Sequence, residues 1–198
     1  AVLEQFATKK FKSAGFDVDE FWRHSLGVAV AAKILSIKFN VPKNMREEFF
    51  IAGLLHDIGK LVITMHYPDA MNNIIKTVTE EKLPILTVEN RELQFTHPEI
   101  GEKIAQKWNL SAGLTKSIAV HHGIDFQDYK SEDFKLSLAV YIANYYCVVS
   151  NIGKSGDENP IEINPLTWKL LATTKERCFE ELAPVSEELK KAMEFLKI

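Results

Sequence analysis

Residues 49–63 read FFIAGLLHDIGKLVI. As far as Leu55 the run is apolar on every side, which predicts a central helix over Phe49 to Leu55. His56 and Asp57 then stand at its C-terminal end, with Gly59 supplying a bend and Lys60 one turn beyond His56. Adjacent helical residues diverge by about 100°, so His56 and Asp57 can reach one centre only at such an end or bend. Titratable groups in apolar surroundings are costly unless they are paired, hydrogen-bonded or metal-bound.

Working outward, the same placement recurs. His24, His97 and the pair His121–His122 complete an ordered series with His56, and Ile118 to Val120 precede the pair as Leu54 and Leu55 precede His56. Helical spacing puts Glu20, His24, Val28, Ala31 and Leu35 on one face. Ser25, Ala29, Lys33, Ser36 and Asn40 form a more polar one, and Asp17 or Asp19 serves as N-cap. Pro42, Pro68 and Pro84 open further helices, the last two running to about Lys82 and Leu93. Thr96-His-Pro-Glu99 reads as a capping box for a helix to about Trp108. Ser111 caps the next, with Gly123 as its stop. Leu136 to Val149 predicts a buried helix, Asn151 to Pro160 a loop, and helices near Leu166–Ala172 and Ser186–Leu196 close the chain. No alternating strand pattern intervenes, so the fold class is all-α, a helical bundle.

The chain has 198 residues, enough for one domain with a substantial core. Its net charge of −3 and the absence of any basic run exclude the usual footprint of a nucleic-acid binder. Cys147 and Cys178 are too few and too far apart for a disulfide framework, which predicts a reduced, cytoplasmic protein. No membrane partner is expected: the best candidate span, Leu136 to Val149, is short and interrupted by Asn144. The opening AVLEQFATKKFK has no apolar core of a secretion signal.

Glu20 and His24 are four apart and share a helix face, although Glu20 also suits a solvated first-turn acid and His24 a core histidine. Asp57 has two oxygens and can bridge two cations. Lys60 can meet an anion bound at a metal, or face water at a helix end. His97 opens a helix beside free backbone donors, a neighbourhood that suits phosphate. His66, in Met-His-Tyr-Pro, belongs to no such pattern and reads as structural or exposed. Mixed histidine and carboxylate ligation suits one or two divalent transition metal ions, whether Fe, Mn, Ni, Co or Zn.

The series His24, His56-Asp57, His97, His121-His122 resembles the HD superfamily of metal-dependent phosphohydrolases, over roughly Asp19 to Val149. The wording Phe21-Trp-Arg-His-Ser25 and Leu54-Leu-His-Asp-Ile-Gly-Lys60 is most similar to HDOD domains, bacterial signal-transduction modules. His56-Asp-Ile-Gly-Lys60 and His97-Pro-Glu-Ile-Gly101 also resemble HD-GYP cyclic-dinucleotide phosphodiesterases. The resemblance implies an HD-type helical bundle as one domain over 1–198, its core at 19–149 and a helical extension at 150–198. It also implies a ligand set of His24, His56, Asp57, His97, His121 and His122, to which Asn144 can add its carbonyl oxygen, while Glu20 joins as an additional acid by its helix-face spacing alone. Two departures stand out. Val140-Tyr-Ile-Ala-Asn144 puts Asn144 where the pattern has a ligating aspartate, and no Gly-Tyr-Pro follows His122.

Two divalent ions bring four positive charges, against one negative from Asp57 and at most one from Glu20. Such a centre is either singly occupied or strongly attractive to phosphate. Two functions follow. In a phosphohydrolase, Asp57 bridges two metals about 3.5–4 Å apart, a metal-activated water attacks phosphorus, and Lys60 neutralises the phosphoryl oxygens. In a signalling module the helical core and metal affinity persist without turnover, and the partner is a phosphate-containing small molecule or a signalling protein. Asn144 and the HDOD wording favour the second.

Overall fold

The computed structural model describes residues 15–129 and 131–196, and among these every regular element is helical. The opening twelve residues, read above for a secretion signal, lie outside the described residues. The helices are α1 (Val18–Lys38), α2 (Arg46–Leu55), α3 (Ile58–His66), α4 (Pro68–Glu81), α5 (Ile85–Leu93) and α6 (His97–Lys107), followed by α7 (Ala112–Val120), α8 (Glu132–Val149), α9 (Leu166–Leu170), α10 (Lys175–Leu182) and α11 (Val185–Leu196). Short 3₁₀ turns at Lys43–Met45 and Phe126–Asp128 lead into α2 and towards α8.

The central helix is α1, where the sequence pointed to α2. Twelve of the 21 residues of α1 are buried, and they include Ser25, Ala29 and Ser36 from its supposed polar face. Size outweighs polarity here. Gly27, Ala29, Ala31 and Ala32 let α2 and α8 pack closely on α1 from different sides, and Ser36 spends its hydroxyl on the Lys33 carbonyl at 2.6 Å. In α2, Ile51 is 42% exposed, so that helix is amphipathic rather than enclosed. The main core joins α1, α2 and α8 to Cys178, Leu182, Val185 and Leu189 of α10 and α11. A second cluster places Phe16 and Phe21 against Ile58, Leu61 and Met71, which fixes α3 under the start of α1.

Local signals account for most helix starts. Asp17 accepts hydrogen bonds from the backbone of Asp19 and Glu20 at 2.9 and 3.1 Å, and Ser111 from Leu114 at 3.2 Å. The Glu99 carboxylate accepts from Thr96 N–H at 2.7 Å, one arm of the expected capping box. Gly123 is not the left-handed stop expected after α7; only Gly153 and Gly156 among the described glycines have positive φ. Helix α10 escaped the sequence reading because five of its eight residues are charged; only Cys178 and Leu182, one turn apart, are buried.

Among the described residues, the candidate membrane span is Lys43–His66, not Leu136–Val149. It is long and apolar enough to cross a membrane by composition, yet most of it is buried in the fold and it bends at His56–Asp57. Both cysteines are free and buried.

Candidate metal centre

The bend between α2 and α3 falls at His56 and Asp57 themselves, and it turns both side chains into the interior, where each is 0% exposed. Gly59 lies inside α3 and serves another purpose. A Cβ there would stand 2.0 Å from the His97 carbonyl oxygen, so glycine is what lets α3 touch the first turn of α6. That contact brings His97 to Asp57. His24 comes from the middle of α1, and His121 and His122 from the end of α7.

Asp57 is the hub. Its Oδ1 lies 3.1 Å from His97 Nε2 and 3.2 Å from His121 Nε2. Its Oδ2 lies 3.3 Å from His56 Nε2 and 4.0 Å from His24 Nε2. His97 Nε2 is also 3.2 Å from His121 Nε2 and 3.0 Å from His122 Nε2. The centre thus has two lobes, one of Asp57 with His97, His121 and His122, the other of Asp57 with His24 and His56.

The far side of each ring explains its orientation. Nδ1 of His24 donates to the Ile152 carbonyl at 3.2 Å, that of His56 to Gly53 at 2.7 Å, and that of His121 to Ile118 at 2.7 Å. His97 Nδ1 meets the Glu89 carboxylate at 2.8 Å, and the same carboxylate takes the His97 backbone N–H at 2.9 Å. His122 Nδ1 faces Asp157 Oδ2 at 3.6 Å. An oxygen acceptor behind Nδ1 fixes the tautomer and leaves the Nε2 lone pair pointing inward, as a metal ligand requires.

Burial holds His24 neutral, lowered to about 3, with His56 adding to the effect. Burial lowers His121 likewise, to about 3, and pushes His122 well down. Burial also opposes charge on His97, but the Glu89 carboxylate behind it prevails and raises its pKa. For Asp57, burial opposes ionisation, yet His56 and Lys60 outweigh it and keep the carboxyl well below its usual range. The neutral rings of His24, His121 and His122, an ionised Asp57 carboxylate and inward lone pairs form a donor set that suits a divalent cation. Two buried atoms of the hub, His56 Nε2 and Asp57 Oδ1, have no hydrogen-bond partner in the protein, as expected of atoms meant for an ion.

Three expectations need correction. Glu20 stays outside: its side chain is 36% exposed and sits 3.7 Å from Arg23, because the first turn of α1 projects to solvent. Only its backbone carbonyl takes part nearby, accepting from Lys154 N–H at 3.1 Å. Lys60 faces no open anion site; it is 0% exposed, donating to Asp57 Oδ2 at 2.8 Å and Ser155 Oγ at 3.2 Å. The start of α6 is also a poor phosphate site, since Glu89 and Glu99 already occupy its backbone donors. Asn144 does border the centre, 3.0 Å from His24 Nε2, and His66 is exposed on the surface.

Glu89, Ser155 and Asp157 were not singled out from sequence. Glu89 left a signal, an acid on the apolar stripe of Ile85 and Val88 in α5. Ser155 and Asp157 belong to the segment 151–160, which crosses the mouth of the centre. Gly153, at φ +66°, lies so close that a Cβ would stand 2.2 Å from His24 N. Farther along, Asn159 Nδ2 donates to the Val78 carbonyl at 2.9 Å. A cavity of about 230 Å³ lies against this segment and touches His24 and Asp157. A second, beside His121, His122 and Asn144, has only about 10 Å³, barely room for one water.

Fold and site together define an all-helical domain built around a buried histidine–aspartate centre. A family model for the HDOD domain matches residues 1–124, well over half of the chain, and the chain belongs to that family. Over 83 residues it is 31% identical to an uncharacterized protein of Treponema pallidum (strain Nichols), covering 41% of this chain and 16% of that protein. Among solved structures it is similar to an HDOD domain protein of unknown function from Geobacter sulfurreducens, with a TM-score of 0.77, 24% identity, and 97% of this chain and 66% of that one covered. It also resembles a candidate signal transduction protein from Marinobacter aquaeolei VT8, at TM-score 0.68, 15% identity, and coverage of 88% and 38%. A candidate phosphohydrolase from Shewanella amazonensis SB2B aligns at TM-score 0.59, 23% identity, and coverage of 89% and 61%. The chain therefore spans less than two thirds of the length of each of these proteins.

Proposed function

We propose that this chain is a metal-binding HDOD signal-transduction module whose phosphohydrolase-type centre turns substrate over weakly or not at all. The observation that carries the reading is the enclosure of the centre. Lys60, the cation that a phosphohydrolase would direct at its substrate, is locked between Asp57 and Ser155 with no exposed surface. The adjacent cavity of about 230 Å³ is also smaller than the roughly 300–1,000 Å³ of pockets that enclose drug-sized ligands. The metal would be held by one or both lobes, Asp57 with His97, His121 and His122 or Asp57 with His24 and His56, with Asn144 at the edge of the second. When bound, a divalent ion supplies Lewis acidity and lowers the pKa of a bound water. The protein's own residues orient the rings through their Nδ1 partners and exclude solvent. Its counterpart in signalling is a protein surface or a phosphate-containing small molecule.

The shared use of both Asp57 oxygens favours a second reading, an active phosphohydrolase acting on a cyclic dinucleotide or nucleotide. Metal analysis of protein purified without chelator or a nickel-affinity tag, coupled to hydrolysis of a bis-aryl phosphate and a cyclic dinucleotide, separates the two. The signalling reading expects bound metal with hydrolysis near background, unchanged by Asp57→Ala. Brisk turnover that disappears in Asp57→Ala would establish the enzyme instead.

A further inference from the structure

We propose that the centre binds one divalent ion rather than two, in the lobe formed by His97, His121, His122 and Asp57 Oδ1, and that Lys60 and Asn144 take the place of a second. The inference rests on the metal-binding reading above and adds where the ion sits and why it is alone.

In the lobe of His24 and His56, the protein supplies its own donors. Asp57 Oδ2 already accepts from the Lys60 ammonium at 2.8 Å, so a cation arriving at that oxygen would meet a buried positive charge. His24 is equally provided for. Its Nδ1 donates to Ile152, so a neutral ring has only a lone pair at Nε2, and the Asn144 amide stands beside it with Oδ1 3.0 Å away. That contact is a hydrogen bond when the amide turns its NH2 to the ring, a donation no aspartate carboxylate can make. Asn144 thus completes His24 where a carboxylate would have recruited a cation. Both second-row carbonyls in this lobe, from Ile152 and Gly53, are uncharged.

The other lobe has the opposite character. Three Nε2 atoms converge there with Asp57 Oδ1, each pair in contact at 3.0–3.2 Å where the structure records one. With the rings neutral, nothing in the protein donates to Asp57 Oδ1. Behind two of the rings stand carboxylates, Glu89 at 2.8 Å from His97 and Asp157 at 3.6 Å from His122. With Asp157 ionised beside a bound cation, Asp57, Glu89 and Asp157 bring three negative charges against the single positive charge of Lys60. One divalent ion therefore neutralises the assembly, and a second would leave it at plus two in a nearly dry interior.

The test measures cobalt(II) and zinc(II) binding to the full chain, its stoichiometry by elemental analysis and its ligand count by X-ray absorption. The expected result is one ion per chain with three imidazoles. His122→Ala should weaken binding by more than the roughly 10–100-fold that loss of an outer partner costs, and His24→Ala, if folded by circular dichroism, by less than roughly tenfold. Lys60→Gln should admit a second ion. Two ions in the unaltered protein, or two imidazoles on a single ion, overturn the proposal. So does a folded His24→Ala that loses the ion while His122→Ala keeps it. One ion in Lys60→Gln refutes the substitution of lysine for metal. If the unaltered protein binds neither metal, the metal-binding reading falls as well; that result differs from binding in the wrong lobe.

Discussion

The helices that carry the histidines and the segment 151–160 that crosses them meet at one centre but are positioned by different means. The helical walls are fixed by packing, with α1, α2, α3 and α7 burying apolar faces around side chains that reach inward. The crossing segment has only Ile152 in the apolar core to hold it. It depends on two glycines at positive φ, on backbone contacts to Glu20 and His24, and on single polar contacts from Ser155, Asp157 and Asn159. The walls therefore determine whether the protein folds, and the crossing segment determines how tightly the finished centre is closed.

The largest effect expected from that contrast is at Gly59. Gly59→Ala drives a methyl into the His97 carbonyl from 2.0 Å, backbone against backbone, and should destabilise the protein by about 3 kcal/mol or more. A denaturant midpoint unchanged from the parent would show that α3 and α6 can part without penalty, and the walls would not be rigid.

Gly153→Ala comes next. It combines a left-handed φ with a 2.2 Å approach to His24 N, which together cost about 2–3 kcal/mol. Because only the crossing segment is strained, local opening there should exceed global loss. Hydrogen exchange should speed up at residues 151–160 before it does in α1; uniform acceleration would merge the two regions into one unit.

Asp157→Asn tests the crossing segment without strain. Removing the charge behind His122 should lower metal affinity about tenfold, the low end for an outer partner because the contact is 3.6 Å. Thermal stability of the metal-free protein should hardly change, and a large fall would make Asp157 a packing residue.

Acidity sharpens the contrast further. His97 is raised above 6.5, so in the metal-free protein it still holds a proton just above that pH, and binding must displace it. Apparent affinity should therefore climb with pH, about tenfold per unit for one proton, and level off above pH 6.5. His24 and His121 are neutral above about 3 and add no slope there. Glu89→Gln, in the wall, should move the break to lower pH; Asp157→Asn, in the crossing segment, should leave it in place. A break at or below 6.5 in the parent contradicts the role of Glu89.

The smallest effect is at Gly123, where a Cβ would meet nothing within 4 Å and φ is not positive. Gly123→Ala should be neutral or stabilising by about 0.4–1 kcal/mol through the unfolded chain. A destabilised variant would show that the turn after His122 matters more than its open surroundings suggest.

Sequence alone established the helical class, most helix starts, the short motifs that carry the HD-type histidines and the departure at Asn144, because each of these signals is written in residues within one or two turns of each other. Period, cap and motif are local properties, and local chemistry reports them. The tertiary structure decided the rest. It made α1 the central helix, since small side chains set close approach and a polarity count does not register size. It turned Glu20 outward and brought in Glu89 and Asp157, acids from α5 and from a loop with no periodicity. It also gave Lys60 to Asp57 and Ser155. Which acid faces which ring depends on how distant segments cross, and Ser155 lies 95 positions from the lysine it holds. No local pattern encodes that distance; only packing closes it.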